Sequence, residues 1–154
     1  MRNQENTVNA VSEEMIQYAT EVCGKYSTIK TLAEEAEASW KQNIEMAETS
    51  KYPAERAMYV QQAGENLAKY SAAREWMKIV MKAVFNIEQS KAREVVRQHC
   101  IERIPLKSVE FESGRCMGKT AVYYHKKAGL QQLAGLLNQE KDRMQKLEKK
   151  VREN

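Results

Sequence analysis

The chain has 154 residues, 42% of them hydrophobic and 30% charged, which suits one domain or two small ones with a modest core. Only six Gly and two Pro punctuate it, and its commonest residues favour helix interiors; sandwich, barrel and βαβ architectures need far more turns, so an all-α fold is expected. The formal net charge of +4 is unevenly shared: residues 1–90 hold 10 Lys/Arg against 13 Asp/Glu, and residues 91–154 hold 15 against 8.

A basic block on a compact helical unit is the electrostatic footprint of nucleic-acid binding, although an uneven but merely solvated surface would read the same way. No run of about 18 apolar residues offers a membrane span. The opening MRNQENTVNAVSEE lacks the apolar centre of a secretory signal. Three scattered cysteines, Cys23, Cys100 and Cys116, make no disulfide framework. A cytoplasmic protein without membrane contact is expected.

In chain order, Val8, Val11, Met15, Tyr18 and Val22 form an apolar seam at spacings of three and four, predicting a helix over about 7–23. Gly24 is placed to end it, and Ser27 to cap the next. Ile29, Leu32 or Ala33, Ala36, Trp40, Ile44 and Ala47 predict the second stripe. Ser50, Lys51 and Tyr52 lead into Pro53, where a break is expected because proline suits a first helical turn. A long helix follows over about 53–85, with Val60, Ala63, Leu67, Tyr70, Met77, Val80 or Met81, and Val84 as its stripe. Together the second and third segments read as a helical hairpin.

The pattern resets near 86–90, with Ser90 as candidate cap for a helix over about 91–103. Pro105 opens a short segment with Leu106, Val109 and Phe111 as its apolar members, closed by Ser113 and Gly114. A last helix starts at Lys119 and carries Val122, Leu130, Leu133, Leu137, Met144, Leu147 and Val151. Its final third is highly charged and reads as an exposed helix, a coiled coil or a fraying tail.

Segments of about 13, 8 and 20 or more residues joined by tight turns have the layout of a helix-turn-helix unit. The last helix opens with small and polar residues and nearby cations, as a helix entering the major groove requires. Val122 is expected to face the core, with Lys119, Thr120, Tyr123 and Lys126 outward.

The stretch Ile101 to Gly114, followed by Thr120 to Leu137, resembles the helix-turn-helix of sigma-70 region 4. It is most similar to the version in small phage transcriptional regulators of the ArpU type. The recognition-helix counterpart is Val122-Tyr123-Tyr124-His125-Lys126-Lys127-Ala128-Gly129-Leu130, with Gly129 standing where that family's pattern has Leu. The resemblance covers about residues 87–138 and implies double-stranded DNA as ligand. Lys107, Arg115, Lys119, Thr120, Tyr123, Tyr124, Lys126 and Lys127 are the expected DNA-contacting residues.

The expected organisation is therefore a helical hairpin or bundle over 1–86 for oligomerisation or partner binding, a helix-turn-helix unit over 87–138 with a long C-terminal helix, and a charged helical tail over 139–154. The expected function is a DNA-binding transcriptional regulator of phage or prophage type, acting as a dimer, with RNA polymerase as a possible contact of the N-terminal helices. The alternative is a helical interaction or assembly module, including a small DNA-packaging subunit.

An enzyme is not expected. His99 and His125 are the only histidines, and residues 114–120 (GRCMGKT) lack the spacing of a phosphate-binding loop. His99, Cys100, Cys116 and His125 make a poor zinc quartet, because adjacent residues on a helix point about 100° apart. No metal or other cofactor is expected.

Overall fold

The computed structural model describes residues 2–111 and 118–153, with side chains from residue 13 onward. The fold is all-α, and no strand occurs among the described residues. Helix α1 spans Arg2–Thr49, α2 Pro53–Phe85 and α3 Ser90–Val95. A π turn, Val96–Ile101, continues α3, and a 3-10 turn covers Leu106–Ser108. Helix α4 spans Lys119–Asn138 and α5 Lys141–Arg152. No described helix is long and apolar enough to cross a membrane.

Pro53 begins α2 as expected. The Arg56 guanidinium donates to the Ser50 carbonyl at 2.9 Å, and the Arg56 amide to the Tyr52 carbonyl at 3.0 Å, which fixes the turn. Gly24 does not end the first helix: α1 runs unbroken for 48 residues. A mid-helix glycine costs about 1 kcal/mol against alanine. Val22 and Cys23 before Gly24, and Ile29 after it, are each buried.

The last helix is also corrected. It divides at Gln139 and Glu140, where the Glu140 amide bonds back to the Leu137 carbonyl at 3.0 Å. Helix α5 then has Asp142 in its first turn and Lys149, Lys150 and Arg152 in its last, both favourable to the helix dipole. At α3 the N-cap is Gln89 rather than Ser90, and it makes no side-chain capping bond. Of the expected middle helix after Pro105, the described residues keep only the 3-10 turn, followed by non-helical backbone at 109–111.

The chain forms two compact units. One comprises residues 28–78 and 142–154. Its hairpin buries Ile29, Ala33, Ala36 and Ala47 from α1, and Ala63, Ala72, Ala73 and Trp76 from α2. Many of these are alanines, whose small side chains suit close helix approach. Trp40 stacks on Tyr70 with centroids 6.3 Å apart, and Arg74 lies over the same tyrosine ring. Asn66 donates to the Asn43 amide oxygen at 2.8 Å, and Asn43 donates to Gln62 at 3.2 Å. Met144 and Val151 of α5 are buried, and Arg143 pairs with Glu75. Ile44, Val60 and Leu67, expected in the stripes, are exposed instead, while Ile29, Ala36, Ala47 and Ala63 of the same stripes are buried as expected.

The other unit comprises residues 1–27 and 79–141. Ala19, Val22, Val80, Val84, Ile87, Ala92, Val96, Leu130, Leu133 and Leu137 are buried in it. Lys141 lies 5.0 Å from the Tyr18 ring centroid. The Glu88 amide donates to the Gln132 side chain at 3.1 Å, tying the α2–α3 turn to α4.

Candidate nucleic-acid interface

Three valines from different segments anchor the first part of α4. Val95 of α3, Val109 after the 3-10 turn and Val122 of α4 form a buried cluster, with Leu106 and Phe111 packed against it. Val122 thus occupies the core-facing position expected from the sequence. Further along, α4 approaches α3 closely at Gly129: a Cβ built there would lie 2.6 Å from Val96 Cγ2 and 2.8 Å from the Ala92 carbonyl oxygen. The glycine is a steric requirement of this crossing.

Gln98 holds the backbone beyond the 3-10 turn. This buried side chain is 6% exposed. Its Nε2 donates to the Glu110 carbonyl at 2.6 Å, and its Oε1 accepts from the Glu110 amide at 2.9 Å. One side-chain amide therefore satisfies both backbone groups of Glu110, as a neighbouring strand would. Nε2 also donates to Glu94 Oε2 at 3.0 Å.

Arg97 completes the network, pairing with Glu94 and Glu102 at 2.7 Å each. Hydrogen bonds from Arg97 hold the Glu94 carboxyl below the usual carboxylate range, against the opposing effect of partial burial. Its stabilisation is therefore fully present above the unfolded value of about 4.3 and is lost as pH falls through the lower folded value. Glu94→Gln should flatten the fall in thermal stability across that acid window, modestly because the pair is partly solvated. An unchanged acid limb in unfolding curves recorded at successive pH values would contradict this assignment.

Two residues beyond the π turn, Arg103 has a left-handed φ of 64°. The Ile104 amide reaches back to the Gln98 carbonyl at 2.9 Å. His99 Nδ1 lies 2.7 Å from the Ile104 carbonyl oxygen, so it carries the proton and donates. Its Nε2 then accepts from Lys126 Nζ at 3.4 Å. Lys126 is half-buried and tied to this turn, rather than standing outward with Lys119 as expected. His125 is half-buried beside Tyr124, and its Nδ1 has no hydrogen-bond partner among the described residues.

The outward face of α4 is therefore Thr120, Tyr124 and Lys127, at spacings of four and three. Lys119 is exposed in the first turn, and Tyr123 stands at its flank. Tyr123 and Tyr124 are 51% and 66% exposed, unusually high for aromatic side chains. Gly118 caps α4 without a side chain to accept from the first-turn amides. Lys119 at this end opposes the helix dipole, and α4 contains no Asp or Glu. Lys107 is exposed on the 3-10 turn. Arg115 lies outside the described residues, as do Ser113, Gly114, Cys116 and Met117.

No group of three or more potential metal ligands occurs among the described residues. The sequence reading missed Gln98 and the steric role of Gly129. Gly129 carried a signal, standing where the resembled pattern has leucine. No family model, curated protein or solved structure matches the chain.

Proposed function

We infer that this chain is a cytoplasmic DNA-binding regulator of helix-turn-helix type, working by binding rather than catalysis. The observation that carries the reading is the outward face of α4. Exposed Lys119, Thr120, Tyr124 and Lys127 share a helix free of acidic residues, on a segment anchored by Val95, Val109 and Val122. Uncapped first-turn amides and a cation at the same end suit a phosphate oxygen. Thr120 and the tyrosines can meet base edges and sugars in the major groove. Lys107 and Lys127 extend the positive surface.

The resemblance to the sigma-70 region 4 type helix-turn-helix of phage regulators fits this reading, and the N-terminal helices would supply dimerisation or a polymerase contact. Replacing Lys119 and Arg115 together by alanine should weaken duplex binding at least several-fold and leave thermal unfolding unchanged. Equal affinity in a folded double variant would remove this face from the site.

Exposed Val60 and Leu67, seven residues apart on one face of α2, favour a second reading as a helical assembly module. Light scattering separates the two: a dimer suits a regulator, and a large closed ring suits a packaging subunit.

A further inference from the structure

The two contacts of the His99 ring respond differently to a proton. Nδ1 donates to the Ile104 carbonyl oxygen at 2.7 Å, and Nε2 accepts from Lys126 Nζ at 3.4 Å. The first contact survives protonation, because Nδ1 already carries its hydrogen. The second does not: a protonated Nε2 is a donor, and it faces an ammonium that has only donors. Two positive charges at that distance also repel each other.

Of the two groups, Lys126 is the one free to move. The His99 ring is half-buried and bonded to a turn that is itself tied down, by the Glu102 amide on the Arg97 carbonyl at 3.0 Å and the Ile104 amide on the Gln98 carbonyl at 2.9 Å. Lys126 carries its ammonium on a flexible four-carbon stem. It stands seven residues after Lys119 and three after Tyr123, on the same side of α4, and next to exposed Lys127. The charged groups on the elements around the ring are Lys126 from α4, Glu102 and Arg103 from the turn, and Arg97 from the ring's own segment. Glu102 and Glu94 are both paired with Arg97 at 2.7 Å, while the ring's own bonds go to the carbonyl and the ammonium.

We propose, on the reading that α4 binds duplex DNA, that His99 is a pH-sensitive latch on Lys126. The neutral ring holds the ammonium away from the DNA-binding face, and the protonated ring releases it to a phosphate. His99 is a positioning residue here, acting through Lys126 rather than touching the ligand. Mild acid therefore adds one cation to the line of Lys119 and Tyr123 and strengthens binding.

The first readout needs no DNA. In an NMR titration of the free folded chain, the ε-methylene resonances of Lys126 should step with the same midpoint as the His99 ring protons, and His99→Gln should abolish the step. A Lys126 signal that stays flat while His99 titrates, or a step that persists in His99→Gln, overturns the latch whatever the chain binds. The second readout is duplex affinity by fluorescence anisotropy at about pH 8 and about pH 5.5, on either side of the range in which imidazoles titrate. Affinity should rise at least about threefold in acid, and the salt slope should steepen by about 0.9, the value of one phosphate contact. Lys126→Met keeps the apolar stem without the charge, so it should match the parent at the higher pH and lose the gain in acid. His125→Gln should retain the gain, which separates the two histidines. Affinity independent of pH in the unsubstituted chain, or an acid gain kept by folded Lys126→Met, overturns the proposal. A Lys126 step in a chain that binds no duplex at either pH overturns the DNA reading instead.

Discussion

Gly129→Ala is expected to destabilise the chain by about 2 kcal/mol or more, although alanine is the better helix former. The new methyl would overlap Val96 Cγ2 and the Ala92 carbonyl oxygen, at 2.6 and 2.8 Å. Valine can change rotamer, but a backbone carbonyl inside α3 cannot yield alone, so α4 must move away from α3. That movement loosens the packing around Val96 and Leu130, both buried. About 1 kcal/mol of gained helix propensity offsets only part of the loss.

Gly24 and Gly64 supply the contrast. Each lies inside a helix, and a Cβ at either would meet nothing within 4 Å. Alanine at those positions should stabilise by up to about 1 kcal/mol each. Thermal unfolding of the three variants checks the sign at each site. A Gly129→Ala variant as stable as the parent would mean that the α3–α4 crossing is looser than described.

Gln98→Leu should cost about 2–3 kcal/mol despite adding an apolar side chain to a buried site. Leucine removes the donor and acceptor that meet the Glu110 carbonyl and amide at 2.6 and 2.9 Å. Partial rehydration of that exposed residue limits the penalty. The local consequence matters more for function, because Val109 immediately precedes the clamped residue and contributes to the core beneath α4. Hydrogen exchange should therefore rise at Val109 and Val122 before it rises in residues 28–78. Gln98→Glu should be comparably damaging, since it brings a second carboxylate beside Glu94 and loses the donor to Glu110. Wild-type denaturant midpoints for both variants would contradict the clamp.

The features legible in the sequence are those set by local chemistry. Pro53 can open a helix but cannot continue one through the preceding residue, and α2 starts there. Val122 falls at the apolar position of α4 that the spacing assigned to the core. Gly24 misled because a glycine permits a helix end without requiring one, and buried neighbours on both sides outweigh its modest cost. The division at Gln139 and Glu140 was hidden by apolar spacing that continues from Leu137 to Met144 and Val151, all buried. The signal that went unused is Asp142 with the basic residues ending at Arg152, the charge pattern of a helix with its own two ends. Ala63 of the expected stripe and Trp76 are buried in α2 together with Ala72 and Ala73, whereas Val60 and Leu67, which fitted the same apolar period, are exposed.

The candidate interface was legible in composition and only partly in geometry. Lys119 and Thr120 lie exposed at the start of α4 as anticipated. Tyr124 and Lys127 share the outward face with Thr120, whereas Lys126 turns toward His99. That difference depends on the π turn, which sets where His99 stands. Its closing contacts join residues as far apart as Gln98 and Glu110, beyond the reach of helical periodicity.

The central claim is that the positive outward face of α4 binds duplex DNA. Fluorescence anisotropy of the purified chain with mixed duplex fragments, titrated at two or more salt concentrations, tests it most directly. The logarithm of affinity should fall linearly with the logarithm of salt, by about 0.9 for each phosphate contacted. Lys119→Ala with Lys127→Ala should reduce that slope by about two while the chain stays folded. Absence of binding at low salt, or a slope unchanged in the folded double variant, would contradict the account.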